Sequence, residues 1–329
     1  MTRCDMGTQP ALVSIVVPVY YNEGSLPQLF ERLREVTREQ PWKAEFVFVD
    51  DGSKDGSFKR LAEFAGEEPR ARVVKLSRNF GSFTAIVAGL SHAAGDCCVV
   101  ISADLQDPPE LIPKMVSLWE SGNEVVLATR ANRDDPWSQR LFSAIFYKLF
   151  RLLAMSDMPE GGFDFVLIDR KAVDVLTETR EKNTSLVGLI LWLGFDRAVI
   201  TYDRQQREHG HSMWTLAKKL KYFVDSFIAF TLLPLRLSAM LGVLVAAAAF
   251  VYAGVVLAAY FLYEIPVRGW PSLMIVTLGL GGVQLITLGV LGEYLWRSLD
   301  ETRRRPLYVV QKTVGVLPER VATASGPPR

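Results

Sequence analysis

Two stretches, Leu237 to Tyr263 and Pro271 to Trp296, run almost without charge. Each exceeds the ~20 residues a helix needs to cross a bilayer. Buried helices of a soluble core are the alternative, but those are usually shorter and carry a polar stripe. The pair is therefore read as a transmembrane hairpin. Lys218, Lys219, Lys221 and Arg236 precede it, Arg297, Arg303, Arg304 and Arg305 follow it, and the connection holds only Glu264 and Arg268. Basic flanks mark the cytoplasmic side, so both ends face the cytoplasm and the connection faces outward.

That assignment confines any chemistry to the rest of the chain. Met1 to Pro10 is polar and lacks the apolar core of a signal peptide, so the segment before the first strand is expected to stay in the cytoplasm. Cys4, Cys97 and Cys98 show no zinc-type spacing and offer no disulfide framework, which fits a reducing compartment. The net charge of +1, with no basic run interleaved with aromatics, gives no reason to expect a nucleic-acid partner.

From Leu12 to Arg130 short β-branched runs alternate with stretches of helical period. Strands are expected at Val13–Val17, Glu45–Val49, Arg72–Leu76, Cys97–Ile101 and Val125–Ala128. Helices are expected at about Leu26–Arg38, Phe58–Phe64, Phe83–Ala93 and Glu110–Ser121. This is an α/β pattern, implying a mostly parallel sheet with helices on both faces. In such sheets ligands bind beyond the carboxyl ends of the strands.

The polar clusters fall at those ends. Pro18 to Gly24, with Tyr20 and Glu23, follows the first strand; Asp50 to Ser57, with Asp51, follows the second; Ser77 to Gly81, with Arg78, follows the third. Carboxylates there can accept hydrogen bonds from a base or ribose and Tyr20 can stack on a ring, which describes a nucleoside site. Taken singly, each is also ordinary turn chemistry. The fourth strand empties into Ser102-Ala103-Asp104-Leu105-Gln106-Asp107-Pro108-Pro109-Glu110. Its carboxylate and amide oxygens suit a hard cation, Mg²⁺ or Mn²⁺, or they cap the next helix.

Further on, Trp137 to Met155 is apolar with a basic edge, as expected of a helix in the membrane interface or one facing a core. A short strand, Ala198 to Tyr202, leads into a loop with Arg204, Arg207, Gly210 and Ser212. Such a loop is either a clamp for phosphate oxygens or a solvated charged loop. His209 and His211 lack the partners that would complete a zinc set. Tyr222 to Leu235 reads as a second interfacial helix. Small residues four apart, Gly242 with Ala246 and Gly254 with Ala258, permit close helix contact and a homo-oligomer. Glu293 and Arg297 are spaced to form an ion pair one turn apart.

Taken in order, Val17–Glu23, Val49–Ser57, Ser77–Gly81, Ala103–Glu110, Arg204–Trp214, Pro234–Leu237, Leu291–Leu295 and Arg305–Tyr308 resemble family 2 glycosyltransferases of the GT-A (Rossmann-like) fold. Within that family they look like the polyprenyl-phosphate glycosyltransferases, and the likeness runs from about Leu12 to Gly315. The resemblance implies inverting transfer of a sugar from a UDP- or GDP-linked donor to a polyprenyl phosphate at the cytoplasmic membrane face. It assigns Pro18, Tyr20, Glu23 and Asp51 to the nucleoside, Asp104 and Gln106 to the metal, and Arg207 with Ser212 to phosphate groups.

Beside these, Arg78 is a nucleotide contact by position, Asp107 is close enough to orient the acceptor, and Arg130, Arg133 and Arg204 are acceptor-phosphate contacts. The family's metal loop commonly reads Asp-Ala-Asp; Ser102 stands at its first position, and a hydroxyl is the weaker ligand for a hard cation. His211 and Met213 stand where other members often carry an acid and a lysine. A processive polysaccharide synthase is the rival within the chemistry, but the Gln-x-x-Arg-Trp signature it would carry is absent. A non-catalytic nucleotide-binding scaffold is the rival outside it.

The expected organisation is a polar tail over 1–11 and a catalytic domain over 12–214, with an interfacial helix at 137–155 and a phosphate loop at 202–214. An interfacial helix over 215–236, the hairpin over 237–296 (spans 237–263 and 271–296) and a cytoplasmic tail over 297–329 complete it.

Overall fold

The computed structural model describes residues 10–130, 162–179, 184–203, 233–262 and 269–315, with positions 148, 151, 158, 159, 181, 230 and 231. Most of the expected helix at 137–155 lies outside the described residues. So do 204–229, with the phosphate loop and most of the second interfacial helix, and the connection over 263–268. The chain forms two compact units, one drawn from 1–223 and 306–329, the other from 224–305.

The first unit is built on one eight-stranded sheet. Its strands are β1 (Leu12–Val19), β2 (Lys43–Asp50), β3 (Ala71–Leu76), β4 (Cys97–Val100), β5 (Val125–Arg130), β6 (Phe163–Asp169), β7 (Arg197–Tyr202) and β8 (Val310–Val314). They lie in the order β7-β5-β6-β4-β1-β2-β3-β8. The pairs β1/β2, β2/β3, β1/β4 and β5/β7 are parallel. Those of β6 with β4 and β5, and of β8 with β3, are antiparallel. Six of the eight strands thus share one direction, as expected of a mostly parallel sheet, and β6 and β8, which no local pattern marks, run against them and make it mixed.

Chain order runs from β1 outward through β2 to β3, then returns to place β4 on the other side of β1. Loops leaving β1 and β4 therefore diverge and leave a crevice at the carboxyl edge. Ile15, Val16, Val17, Phe46, Val47 and Phe48 are all fully buried. Consecutive apolar residues are what a sheet covered on both faces requires.

On one face lie α1 (Leu26–Thr37), α2 (Ser57–Glu67) and α4 (Ile112–Glu120), the last entered through a 3-10 turn, Pro109–Leu111. Their Leu29, Leu33, Leu61, Phe64 and Met115 join Ile15, Phe46 and Phe48 in the main core. Phe30 stacks on Phe64 with ring centres 3.9 Å apart. On the other face α3 (Ser82–Ser91) presses so closely on β1 that a Cβ at Gly89 would lie 2.3 Å from Val16 Cγ1. Two further helices, α5 (Arg170–Glu178) and α6 (Leu186–Trp192), follow β6. Asp169 caps α5 by accepting from the Lys171 amide at 3.0 Å, and also accepts from Trp119 Nε1 at 2.7 Å.

The C-terminal stretch is not all tail. Val310–Val314 pairs along β3, and Tyr308 packs against the buried cluster of Val49, Val74, Leu76, Ala85 and Ala88.

The second unit holds two long helices, α7 (Leu233–Leu262) and α8 (Trp270–Thr302), which pack on each other. Residues 233–236, expected in an interfacial helix, are the first turn of α7. Val243, Leu244, Phe250 and Val251 on α7, and Leu285 and Ile286 on α8, are exposed. Among the described residues one stretch, Leu233–Tyr252, is long and apolar enough to cross a membrane, where two spans were expected. The expected ion pair is formed, Arg297 Nε donating to Glu293 Oε1 at 3.0 Å.

Candidate active site

The loops leaving β1, β2 and β3 are stitched to one another by short polar contacts. The Tyr21 amide donates to Ser53 Oγ at 3.1 Å, and the Asn22 amide to Ser57 Oγ at 3.0 Å. Glu23 Oε2 accepts from the Gly56 amide at 2.8 Å, so this carboxylate also fastens the β2 loop. Tyr21 itself sits at φ 56 with its ring edge-on to Tyr20, the centroids 4.6 Å apart. Pro18 lies inside β1 opposite Val49.

Asp51 is 3% exposed, and its oxygens accept from the amides of Phe80, at 2.7 Å, and Gly81, at 2.9 Å. It joins the β2 loop to the β3 loop. The join needs glycine next door: Gly52 has φ 72, and a Cβ there would meet the Arg78 carbonyl carbon at 2.5 Å. Arg78 in turn lies over the Phe80 ring, 4.1 Å from its centre. Tyr20, with a side-chain hydrogen bond to Asn79, completes the cluster; burial, Tyr21 and Asp51 raise its pKa. The expected nucleoside residues Tyr20, Glu23, Asp51 and Arg78 thus occupy the loops at this edge of the sheet.

Burial pushes the Asp51 carboxyl up to about 6, against the opposing pull of the two amides. A folded-state value above the ordinary 3.8 means that stability is full below about pH 4 and declines as pH rises through 6. Thermal unfolding of the full chain in detergent between pH 4 and 7 should show this decline, on the order of 3 kcal/mol from Asp51. Asp51→Asn should be less stable at low pH, because its amide cannot accept both bonds, but flatter across the range. An undiminished slope in the variant would refute the assignment.

The acidic loop after β4 is pinned on both sides. Ser25 Oγ donates to the Ala103 carbonyl at 2.7 Å. At the other side Asp107 is 1% exposed, with Ser102 Oγ 2.5 Å from its Oδ2 and the Tyr202 hydroxyl bonded to its Oδ1. Ser102 Oγ also lies 2.9 Å from Asp104 Oδ1, which accepts from the Gln106 amide at 3.3 Å. Between Asp104 and Gln106, Leu105 is buried at φ 61. Beyond the loop, Arg32 grips Glu110 through two bonds of 2.9 and 2.6 Å.

Asp107, expected to orient the acceptor, is enclosed by Ser102 and Tyr202; burial raises its pKa while those two bonds lower it. Arg130, expected at the acceptor phosphate, pairs with Asp164 and hydrogen-bonds Tyr202. Tyr202 and Asp164 were not singled out from the sequence. Tyr202 had one signal, a hydroxyl closing a short strand before a basic loop; Asp164 had none, since β6 went unread. Arg133, Arg204, Arg207 and Ser212 lie outside the described residues.

Among the described residues no three His, Cys, Asp or Glu side chains gather into a metal cage. Asp104 and Gln106 supply a carboxylate and an amide oxygen two residues apart. That donor set fits a hard cation taking most of its ligands from substrate phosphates and water.

The sequence model of Glycosyl transferase family 2 matches residues 14–177. An uncharacterized glycosyltransferase of Bacillus subtilis, YkcC, is 40% identical over 309 residues, 94% of this chain and 96% of the relative. The chain belongs to glycosyl transferase family 2. It is a glycosyltransferase, and the matched segment takes in every strand-end loop from β1 to β4.

A bactoprenol glucosyl transferase of Shigella flexneri, derived from prophage SfII, is 36% identical over 302 residues, 92% of this chain and 98% of the relative. Among solved structures, the mannosyltransferase PcManGT of Pyrobaculum calidifontis, in complex with GDP-Man and Mn²⁺, aligns with a TM-score of 0.45 at 16% identity. That alignment covers 85% of this chain and 88% of the other.

Proposed function

We propose that this glycosyltransferase moves a sugar from a UDP- or GDP-linked donor to a polyprenyl phosphate at the cytoplasmic face of a membrane. The observation that carries this is the 92% coverage by the bactoprenol glucosyl transferase of Shigella flexneri. An alignment of that extent takes in α7 and α8 as well as the sheet, so the shared property extends beyond nucleotide-sugar handling to the apolar helices. A non-catalytic scaffold would need none of the loop geometry around Asp104.

In this reading the acceptor phosphate oxygen attacks the anomeric carbon, the bond from that carbon to the nucleoside diphosphate breaks, and the configuration inverts. A phosphate monoester is already anionic near neutrality, its second pKa being near 6, so no strong base is required. The demand falls on the leaving diphosphate. Asp104 and Gln106 would hold a divalent cation, Mg²⁺ or Mn²⁺, that neutralises it. Tyr20, Glu23, Asp51 and Arg78, with Pro18, surround the nucleoside; Arg204, Arg207 and Ser212 meet phosphate oxygens, with Arg133 on the acceptor side.

Purified full-length protein in detergent, given undecaprenyl phosphate and a panel of UDP- and GDP-sugars, should yield one lipid-linked sugar by mass spectrometry. No product from any donor, with folded protein, would favour the scaffold.

The helices α7 and α8 serve in this reading as a transmembrane pair. Support comes from their lengths, 30 and 33 residues, and their exposed apolar side chains. With both ends cytoplasmic, a cysteine placed at Val267 should react with an impermeant maleimide in intact cells, whereas Cys4 should react only after permeabilisation. Cys97 and Cys98 are buried and give little background. Labelling of Cys4 in intact cells would reverse the topology.

A further inference from the structure

We propose that Tyr202 is a positioning residue for transfer: through Asp107 and Ser102 its hydroxyl fixes the direction of the Asp104 carboxylate. This rests on the reading of Asp104 as a cation ligand.

The four side chains form an unbroken polar chain. The Tyr202 hydroxyl donates to Asp107 Oδ1, and the Ser102 hydroxyl shares its single hydrogen between Asp107 Oδ2 at 2.5 Å and Asp104 Oδ1 at 2.9 Å. Asp107 is 1% exposed and keeps both oxygens engaged by hydroxyl groups. A buried carboxylate is costly unless bonded. Both contacts must therefore persist, and they lock the rotamer of Asp107 and, through Ser102, that of Asp104.

Tyr202 is well suited to be the fixed end. It is the last residue of β7, buried, with its ring edge-on to Phe165 and its hydroxyl beside Arg130. Asp104 needs such an anchor, because the adjoining Leu105 sits at φ 61, a conformation that persists only where the surroundings impose it. Ser25 restrains the loop before Asp104, at the Ala103 carbonyl, and Tyr202 restrains it after, at Asp107.

Ser102 thereby gains a role. In place of a third carboxylate it supplies the hydroxyl that passes the constraint from Asp107 to Asp104. Partners of this kind, one bond removed from a metal ligand, typically change metal affinity or activity by about 10- to 100-fold when removed.

The test uses the full chain in detergent and Mn²⁺ as the probe, followed by electron paramagnetic resonance in saturating UDP and, separately, GDP. Tyr202→Phe keeps the ring and deletes only the hydroxyl. It should weaken Mn²⁺ binding by up to about 10-fold, leave nucleotide binding in EDTA unchanged, and lower kcat more than it raises the donor KM. Ser102→Ala should act similarly. Because both break one chain, the double variant should be little worse than the more damaging single one.

Unchanged Mn²⁺ affinity in Tyr202→Phe, alongside a lower Tm, would make the contact merely structural and overturn the proposal. So would additive losses in the double variant, or no Mn²⁺ binding by the unsubstituted protein. If the Mn²⁺ shifts appear as expected but no donor yields a lipid product, the proposed transfer fails while the positioning role stands.

Discussion

Asp104→Ala is expected to abolish most transfer, lowering kcat by about 10²–10³ while the protein stays folded. Removing one preorganised group that stabilises developing charge typically costs that much. Here the charge develops on the departing diphosphate, and Asp104 is the carboxylate that the loop after β4 presents among the strand ends. It is half-buried, and the side chain lost is small. Ser102 and the Gln106 amide, which it engages at 2.9 and 3.3 Å, lie in the same loop and can rebond to water. Stability should therefore change by only about 1 kcal/mol.

The measurement is lipid-linked product formed per folded enzyme, with thermal unfolding as the control. Asp104→Asn separates charge from shape: it keeps the volume and one acceptor, so activity as low as that of the alanine variant would assign the effect to charge. Turnover and donor binding equal to the unsubstituted enzyme in Asp104→Ala would remove Asp104 from the mechanism.

How much of this was readable beforehand varies with the kind of signal. β1 to β5, and the helices up to α4, were legible because each is a local apolar pattern with a period of its own; the observed bounds differ by a few residues at most. β6 was missed because Phe163–Asp169 opens with alternation and continues as an unbroken apolar run, so no single period marks it. Its antiparallel pairing with β4 and β5 is a further property that no local pattern encodes. β8 was missed for a related reason. Val-Gln-Lys-Thr-Val is half polar because it is an edge strand, and its partner β3 lies more than 230 positions away in the sequence.

The site shows the same division. Residue types at strand ends announced a nucleotide-binding edge, but not who would touch whom. Asp107 reads as a carboxylate in an acidic loop, and no local pattern announces its bond to Tyr202, 95 residues further on. Asp51 looked like a ligand for a base, and the contact that defines its local role is with the Phe80 and Gly81 amides. Side-chain chemistry is local, whereas its allocation to partners is set by the fold.

Arg72→Met should be the complementary lesion, damaging stability and sparing chemistry. Ser14, Glu45 and Arg72 lie in the first halves of β1, β2 and β3, at the sheet edge opposite the strand-end loops. There Glu45 Oε2 accepts from Arg72 Nη2 at 3.2 Å, while Oε1 accepts from Ser14 Oγ and, at 2.6 Å, from the Ala94 amide. Arg72 also donates to the His92 carbonyl, tying the end of α3 to the sheet. The side chains of Arg72 and Glu45 are only 7% and 9% exposed.

Burial draws the Arg72 pKa down and the nearby Glu45 charge draws it back up, as expected of an ion pair taken out of water. Removing one partner of such a pair typically costs about 3–5 kcal/mol, because the remaining charge stays buried without compensation. That corresponds to a fall in Tm of about 10 °C for a domain of this size. Glu45→Gln combined with Arg72→Met should recover part of the loss, since the glutamine still accepts from Ala94 and carries no charge. Below the lowered Tm, product formed per folded molecule should match the unsubstituted enzyme. A loss of turnover without a loss of stability would mean that the two ends of the strands are coupled, and that the polar network at the amino edge helps to shape the loops around Asp104.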